Sequence, residues 1–144
     1  MKVLYDTSVL IAALLVNHPN HYLTLPKLEM AQRREVHGYV STHTLAELYS
    51  VMTRLPKPLQ VSPDEALSAI ADLVEYIEAV PLLPEDYQTA IAQMAALKLP
   101  GGSVFDALIA QAAVKANVDC LLTLNPKDFV RLSKAIAALV QVPE

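Results

Sequence analysis

The sequence predicts an α/β fold with a mainly parallel sheet of four or five strands, and two observations support this class. Short apolar runs rich in β-prone residues alternate along the chain with longer helical segments, which is typical of β-α-β units on a parallel sheet. Proline and capping motifs mark where several of the helices begin. The chain has 144 residues with no linker-like segment and no internal repeat, so we expect one domain over residues 1–144.

The predicted elements follow from these patterns in chain order. Val3–Tyr5 is an apolar run that ends at Asp6, and an aliphatic helix begins at once. Thr44 and Glu47 have the spacing of a capping box, which predicts a helix starting at Thr44, and Ser62-Pro63-Asp64-Glu65 predicts another. The full set is a strand and helix within 2–15, a helix at 22–35, a strand at 36–42, helices at 44–55 and 62–76, a strand at 79–83, helices at 84–98 and 104–116 (the latter capped by Ser103), a strand at 118–124, one helix after Asn125-Pro126, and a short strand at 139–142.

Composition and charge exclude several classes of protein. Hydrophobic residues make up 53% of the chain, but no apolar run reaches the roughly 18 residues that a membrane-spanning helix needs, so no membrane association is expected. The single cysteine, Cys120, excludes an intramolecular disulfide and favours a reducing cytoplasm. With a net charge of −4, nucleic-acid binding would require a local basic patch or a bound cation.

Four polar residues stand where a strand or a turn passes into a helix: Asp6, Glu47, Asp106 and Asn125. Each has an ordinary local explanation, as an N-cap, as half of a capping box or as a first-turn acid. In a parallel sheet, however, these junctions share one edge, so the side chains are expected to converge there. Converging carboxylates repel one another, and a hard cation such as Mg²⁺ removes that cost. The pattern therefore predicts a divalent-metal site formed by Asp6, Glu47 and Asp106.

Other chemistries have weaker support. Cysteine clusters, a P-loop and a glycine-rich dinucleotide turn are absent from the sequence. His18 and His21 are expected to be a solvated surface pair, and His43 is interpreted as structural or as a substrate contact. Four cations are candidate phosphate contacts, each with a solvated surface charge as the alternative: Arg33, Arg34, Arg54 and Lys57.

Three blocks of the sequence together resemble PIN domains, and within them the VapC-type toxin ribonucleases. The blocks are LYDTSVLIAAL, STHTLAELYSVMTRLP and GGSVFDALIAQAAVKANVDCLLTLNPKDF, in the family's order and over nearly the whole chain. The resemblance implies a three-layer α/β/α PIN-like fold. It further implies an endoribonuclease that depends on Mg²⁺ or Mn²⁺, forms a homodimer and is inhibited by a cognate antitoxin in a type II toxin–antitoxin system.

Carried over by position, Asp6, Glu47 and Asp106 match the family's core acids, with Asp6 and Asp106 as the most direct metal ligands. The family commonly places a fourth acid after the last parallel strand, where this chain has Asn125, with Asp128 three residues later. Either residue is a candidate to complete the site. The hydroxyls that match positions able to orient water are Thr7, Ser8 and Thr123.

Two alternative functions remain open at this point. A phosphatase of the haloacid-dehalogenase kind would use Asp6 as its nucleophile, but Ser8 stands where such enzymes have a second Asp. A catalytically weak PIN-like or receiver-like binding module would keep the fold and recruit a partner through its apolar surface.

Overall fold

The computed structural model describes all residues from Met1 to Glu144 and shows a five-stranded parallel sheet between two layers of helices. The strand order is β3-β2-β1-β4-β5, with strands β1 (Lys2–Tyr5), β2 (His37–Ser41), β3 (Ile77–Val80), β4 (Cys120–Leu122) and β5 (Val140–Gln141). The helices are α1 (Thr7–Leu14), α2 (His21–Gln32), α3 (Thr42–Arg54), α4 (Pro63–Leu73), α5 (Pro84–Leu97), α6 (Ser103–Ala116), α7 (Pro126–Val130) and α8 (Lys134–Leu139). The predicted α/β/α class and parallel sheet are confirmed.

Strand β1 is buried on both faces of the sheet. Val3 and Tyr5 belong to the core shared with α1 to α4, whereas Leu4 belongs to the core shared with α5 to α8. This alternation follows the two-residue period of a strand. A strand that is covered on both sides has an uninterrupted apolar sequence, which explains why the run before Asp6 contains no polar residue.

Helix α3 begins earlier than the sequence predicted. Ser41, the last residue of β2, is the N-cap, and its Oγ accepts a hydrogen bond of 3.1 Å from the backbone N–H of Thr44. The predicted capping box of Thr44 and Glu47 is therefore wrong, because Ser41 already occupies that role. The capping box of Ser62 and Glu65 is confirmed. As a result, Glu47 lies within α3 rather than at its start.

Other boundaries also differ from prediction: α2 ends at Gln32, α4 ends at Leu73, and β4 is limited to Cys120–Leu122. Strand β3 ends at Val80 rather than Leu83, since Pro81 follows and has no N–H to donate to a neighbouring strand. Helix α6 starts at Ser103, with Gly102 in the N-cap position. The single helix expected after Asn125 is two short helices, because Ser133 caps a new one by accepting a hydrogen bond from Ile136 N–H. None of the helices combines the length and apolar character required to cross a membrane.

Candidate active site

Asp6 lies directly after β1, at the carboxyl edge of the sheet. Its backbone N–H donates to the carbonyl of Leu122 in β4 at 2.9 Å, and the residue is only 4% exposed. Its carboxylate makes no capping hydrogen bond to α1 although Asp6 occupies the N-cap position. Instead, Oδ2 accepts hydrogen bonds of 2.7 Å from the hydroxyls of Ser8 and Thr123. The local capping explanation for Asp6 therefore does not describe its side chain.

The two hydroxyls that hold Asp6 are themselves fixed by the backbone after β4. Thr123 Oγ1 accepts from Asn125 N–H at 2.9 Å, and Ser8 Oγ accepts from Leu124 N–H at 3.1 Å. Both hydroxyls donate to the same carboxylate oxygen of Asp6, Oδ2, and the backbone N–H groups of Thr7 and Ser8 also lower the pKa of this carboxylate. The orientation of the carboxylate is therefore set by groups from α1 and from the segment after β4.

Glu47 extends from α3 toward the same edge. Its Oε1 lies 3.4 Å from the hydroxyl of Thr7, which in turn lies 3.1 Å from Thr44 Oγ1. Partial burial raises the pKa of Glu47, the negative charge of Asp6 raises it further, and the Thr7 hydroxyl opposes both effects. Glu47 and Asp6 therefore interact electrostatically although they are far apart in the sequence.

Asp106 lies in the first turn of α6 and is half-buried. Its pKa is raised from 3.8 to about 7, first by burial and then by the negative charges of Asp128, Asp6 and Glu47, against an opposing effect of Arg131. Burial also raises the pKa of Asp6, while the hydroxyls of Ser8 and Thr123 oppose this. We call Asp6, Glu47, Asp106 and Asp128 the acid cluster.

The structure separates the two candidates for the fourth position. Asn125 is exposed, and although it is the N-cap residue of α7, its side chain makes no capping hydrogen bond. Asp128 exerts the largest charge effect on Asp106. It also lies 3.8 Å from Arg131, whose guanidinium donates to Ser103 Oγ at 3.1 Å. Asp128 therefore interacts electrostatically with Asp106, whereas Asn125 lines a groove with Thr7 and Ser8.

The predicted phosphate contacts divide between the two edges of the sheet. Arg33 is paired with Glu35 at 2.8 Å. Arg34 lines a groove with Met1 and His37, at the amino ends of β1 and β2 and away from the acid cluster. Arg54, in contrast, shares a groove with Glu47. Of these arginines, only Arg54 is therefore placed beside the acid cluster.

Two residues near the acids were not singled out by sequence reasoning for this site: Arg131 and Phe105. Phe105 immediately precedes Asp106, and its ring stacks on that of His43. An aromatic residue in the first turn of a helix is ordinarily a core residue, so the signal in the sequence was weak. His18 and His21 are half-buried rather than solvated: His18 Nδ1 accepts a hydrogen bond from Asn20 N–H, and His21 Nδ1 bonds to the carbonyl of Ala12 in α1.

The residues at this edge fit a divalent cation of the Mg²⁺ or Mn²⁺ kind. The donors are carboxylate and hydroxyl oxygens, which hard cations prefer, and soft sulfur ligands are absent. Burial is the largest cause of the raised pKa values of Asp6, Glu47 and Asp106, and neighbouring carboxylates raise the pKa values of Glu47 and Asp106 further. No group of three or more acidic, His or Cys side chains is arranged to hold a metal ion, so an ion at this edge would have one or two carboxylate ligands, with water completing its coordination.

A parallel sheet of order 3-2-1-4-5 between helical layers, with acids from β1, α3 and α6 gathered at its carboxyl edge, defines a PIN-type domain. The PIN domain family model matches residues 3–135, and the chain belongs to this family. It is 34% identical over 112 residues to ribonuclease VapC27 of Mycobacterium tuberculosis, and the matched region covers 76% of this chain and 75% of that protein. It is 31% identical over 116 residues to ribonuclease VapC40 of the same species, and the matched region covers 81% of each chain.

Solved structures agree with this assignment at the level of the fold. The crystal structure of VapBC2 from Rickettsia felis, bound to a promoter DNA fragment, matches with a TM-score of 0.66 at 22% identity, over 100% of both chains. The M. tuberculosis toxin VapC20, described as cleaving the sarcin–ricin loop, matches with a TM-score of 0.66 at 15% identity, over 83% of this chain and 86% of that one. The resemblance to VapC-type toxins is confirmed by these comparisons.

Proposed function

We propose that this chain is a metal-dependent endoribonuclease that hydrolyses RNA phosphodiester bonds as the toxin of a type II toxin–antitoxin system. The observation that carries the proposal is the acid cluster, in which a buried, hydroxyl-oriented Asp6 interacts electrostatically with Glu47 and Asp106. Family membership and the two relatives named as ribonucleases support the same reaction.

In this proposal the chain's own residues position the reacting groups. Asp6 and Asp106 are the most direct ligands for Mg²⁺ or Mn²⁺, with Glu47 and Asp128 adding negative charge around them. A bound divalent ion supplies Lewis-acid polarisation of a phosphoryl oxygen and lowers the pKa of a water nucleophile. Ser8 and Thr123 keep the Asp6 carboxylate from rotating, so that Oδ1 is presented in a fixed direction.

The direct test is a cleavage assay on total RNA with Mg²⁺, with Mn²⁺ and with chelator. We expect wild-type protein to cleave RNA only when a divalent ion is present. Asp6→Asn and Asp106→Asn should abolish cleavage while the circular dichroism spectrum remains that of the wild type. The matched control is Asp72→Asn, which neutralises an exposed acid on α4 and should retain full activity. Full activity in either site variant would contradict the site assignment.

We also propose that the protein forms a homodimer and is inhibited by an antitoxin. The support is that two solved relatives are VapBC complexes, from R. felis and from nontypeable Haemophilus influenzae. Exposed apolar side chains are available for such contacts, among them Leu67, Ile91 and Val114. Light scattering after size-exclusion chromatography should give twice the chain mass of 15.7 kDa. The purified cognate antitoxin should suppress cleavage.

A further inference from the structure

An open groove of about 340 Å³ lies beside the acid cluster, between α3 and α6. Glu47 lines this groove and is also a member of the acid cluster, so the two are continuous. The other side chains that line it include polar, charged and aromatic groups: His43, Ser50, Arg54 and Phe105. A chain entering the acid cluster from this side would pass over them.

Two aromatic rings form one wall of the groove. The rings of His43 and Phe105 are nearly parallel, at 10° to each other, with centroids 5.2 Å apart. Tyr87 supports His43 from its edge, at 6.4 Å and 78°. Phe105 nevertheless remains 44% exposed. A ring that is fixed by stacking on one side and open to solvent elsewhere is suited to receive a further flat group.

The positions of these rings are tied to the positions of the acids. Phe105 directly precedes Asp106 on α6, and His43 lies one helical turn before Glu47, on the same face of α3. The two helices therefore each supply one ring and one carboxylate. A substrate whose phosphate reaches Glu47 would therefore have neighbouring groups in the groove that His43 and Phe105 line.

Arg54 marks the far end of the groove. It is exposed and lies on the same face of α3 as Glu47 and Ser50, and its guanidinium donates only to Ser50 Oγ, at 3.4 Å. Unlike Arg33 and Arg131, it has no carboxylate partner. Its charge is therefore not already neutralised by the protein and is available to a phosphate.

We propose that His43 and Phe105 form a stacking platform for one unpaired RNA base next to the cleaved bond, with Arg54 contacting a phosphate further along the strand. This inference rests on the proposed ribonuclease function. Aromatic side chains accept any base by its flat face, and unpaired nucleotides present that face most readily. The platform would thus direct the enzyme to unstacked nucleotides in loops or single strands, with little dependence on base identity.

The kinetic test uses a synthetic RNA whose cut site has been mapped with wild-type protein. Versions with a single abasic nucleotide are made at each position around that site. At one position, removal of the base should lower kcat/KM for wild type by roughly tenfold or more, the range measured for base–aromatic stacking. Phe105→Leu, which keeps apolar bulk without an aromatic face, should show a similar loss on intact RNA and no further loss on that abasic RNA. Phe105→Tyr should restore the wild-type pattern.

The matched control is Tyr49→Leu, because Tyr49 is on α3, is also 44% exposed and does not line the groove. Tyr49→Leu should have the wild-type kcat/KM on intact RNA and on the abasic RNA. The platform would be overturned if Phe105→Leu kept the wild-type kcat/KM on intact RNA, or if removal of the base lowered kcat/KM of this variant as much as it does for wild type.

A binding measurement keeps the inference testable if no RNA is cleaved. The chain contains no tryptophan, so Phe105→Trp introduces a single tryptophan at the platform, which is excited at a wavelength that tyrosine does not absorb. A short single-stranded RNA should quench its fluorescence by stacking, whereas the fully abasic strand should not. Equal responses to the two strands would overturn the platform. Quenching without cleavage in any metal would instead contradict the proposed ribonuclease while supporting the platform.

Discussion

Asp106 allows a prediction in which stability and function move in opposite directions. In the metal-free protein its carboxylate is half-buried next to three other acids, and its side chain makes no hydrogen bond that an amide would lose. Asp106→Asn removes the repelled charge with almost no change of shape. We therefore expect this variant to be more stable than wild type in chelator at neutral pH and above, although it is inactive.

The size of the effect follows from the raised pKa. A rise from 3.8 to about 7 corresponds to about 4 kcal/mol if all of it reflects interactions in the folded state. Because the carboxylate is partly exposed, solvent screening reduces this to roughly 1–2 kcal/mol. For a chain of this length, that gain raises Tm by roughly 3–6 °C.

The sign of the pH dependence follows from the same values. Between pH 3.8 and about 7 the folded wild type binds more protons at Asp106 than the unfolded chain does, so its stability falls as pH rises through this window. The gain in unfolding free energy of Asp106→Asn over wild type should thus be near zero at pH 3.8 and largest above a pH of about 7. Urea unfolding in chelator across this range measures it, with Asp72→Asn as the control. Added Mg²⁺ should stabilise wild type but not the variant. The reasoning would be refuted if Asp106→Asn were less stable than wild type at pH 8, or if its gain over wild type were as large at pH 4 as at pH 8.

Three further changes test other contacts in the molecule. Thr123→Val removes the hydroxyl that donates to Asp6 and accepts from Asn125 N–H. This variant should lose about 1–3 kcal/mol of stability in urea unfolding and cleave RNA more slowly. Thr123→Ser should recover both the stability and the cleavage rate. Asp86→Asn breaks the 2.7 Å ion pair with Lys115 between α5 and α6 and should cost roughly 2–4 kcal/mol at pH 7. Lys115 and the Leu83 N–H hold the pKa of Asp86 below its ordinary value, so this contribution should disappear as pH falls through the lowered pKa. A cost that does not shrink as the solution is acidified would contradict the pairing. Ser41→Ala removes the N-cap of α3 and should cost about 1 kcal/mol, and an unchanged unfolding midpoint would show that another group caps this helix.

The elements that local sequence determines were predicted well. The apolar run before Asp6 predicts a buried strand, and the aliphatic segment after it predicts a helix. Both elements are present, as β1 and α1. The parallel arrangement then placed Asp6 and Asp106 at one edge before any geometry was known. These inferences succeed because they depend on neighbours in the chain and on the topology that βα alternation imposes.

The errors arise where a distant part of the chain decides between local alternatives. Both Ser41 and Thr44 are acceptable N-caps by sequence, and the end of β2, set by pairing with β1 and β3, selects Ser41. Which of Asn125 and Asp128 completes the site stays a prediction, because it depends on how α7 packs against α6. The stacking of Phe105 on His43 requires α3 and α6 to meet, which no pattern within either helix reveals.

The position of β1 in the sheet has a consequence for how the protein is made. Asp6 is synthesised well before β4, yet its backbone partner is Leu122 and one of its two hydroxyl partners is Thr123. Until β4 has left the ribosome and docked beside β1, Asp6 has neither its anchor nor its fixed orientation, and Asp128 is still to come. A growing polypeptide therefore carries an unassembled centre until β4 is made, and chains interrupted before β4 would not complete it.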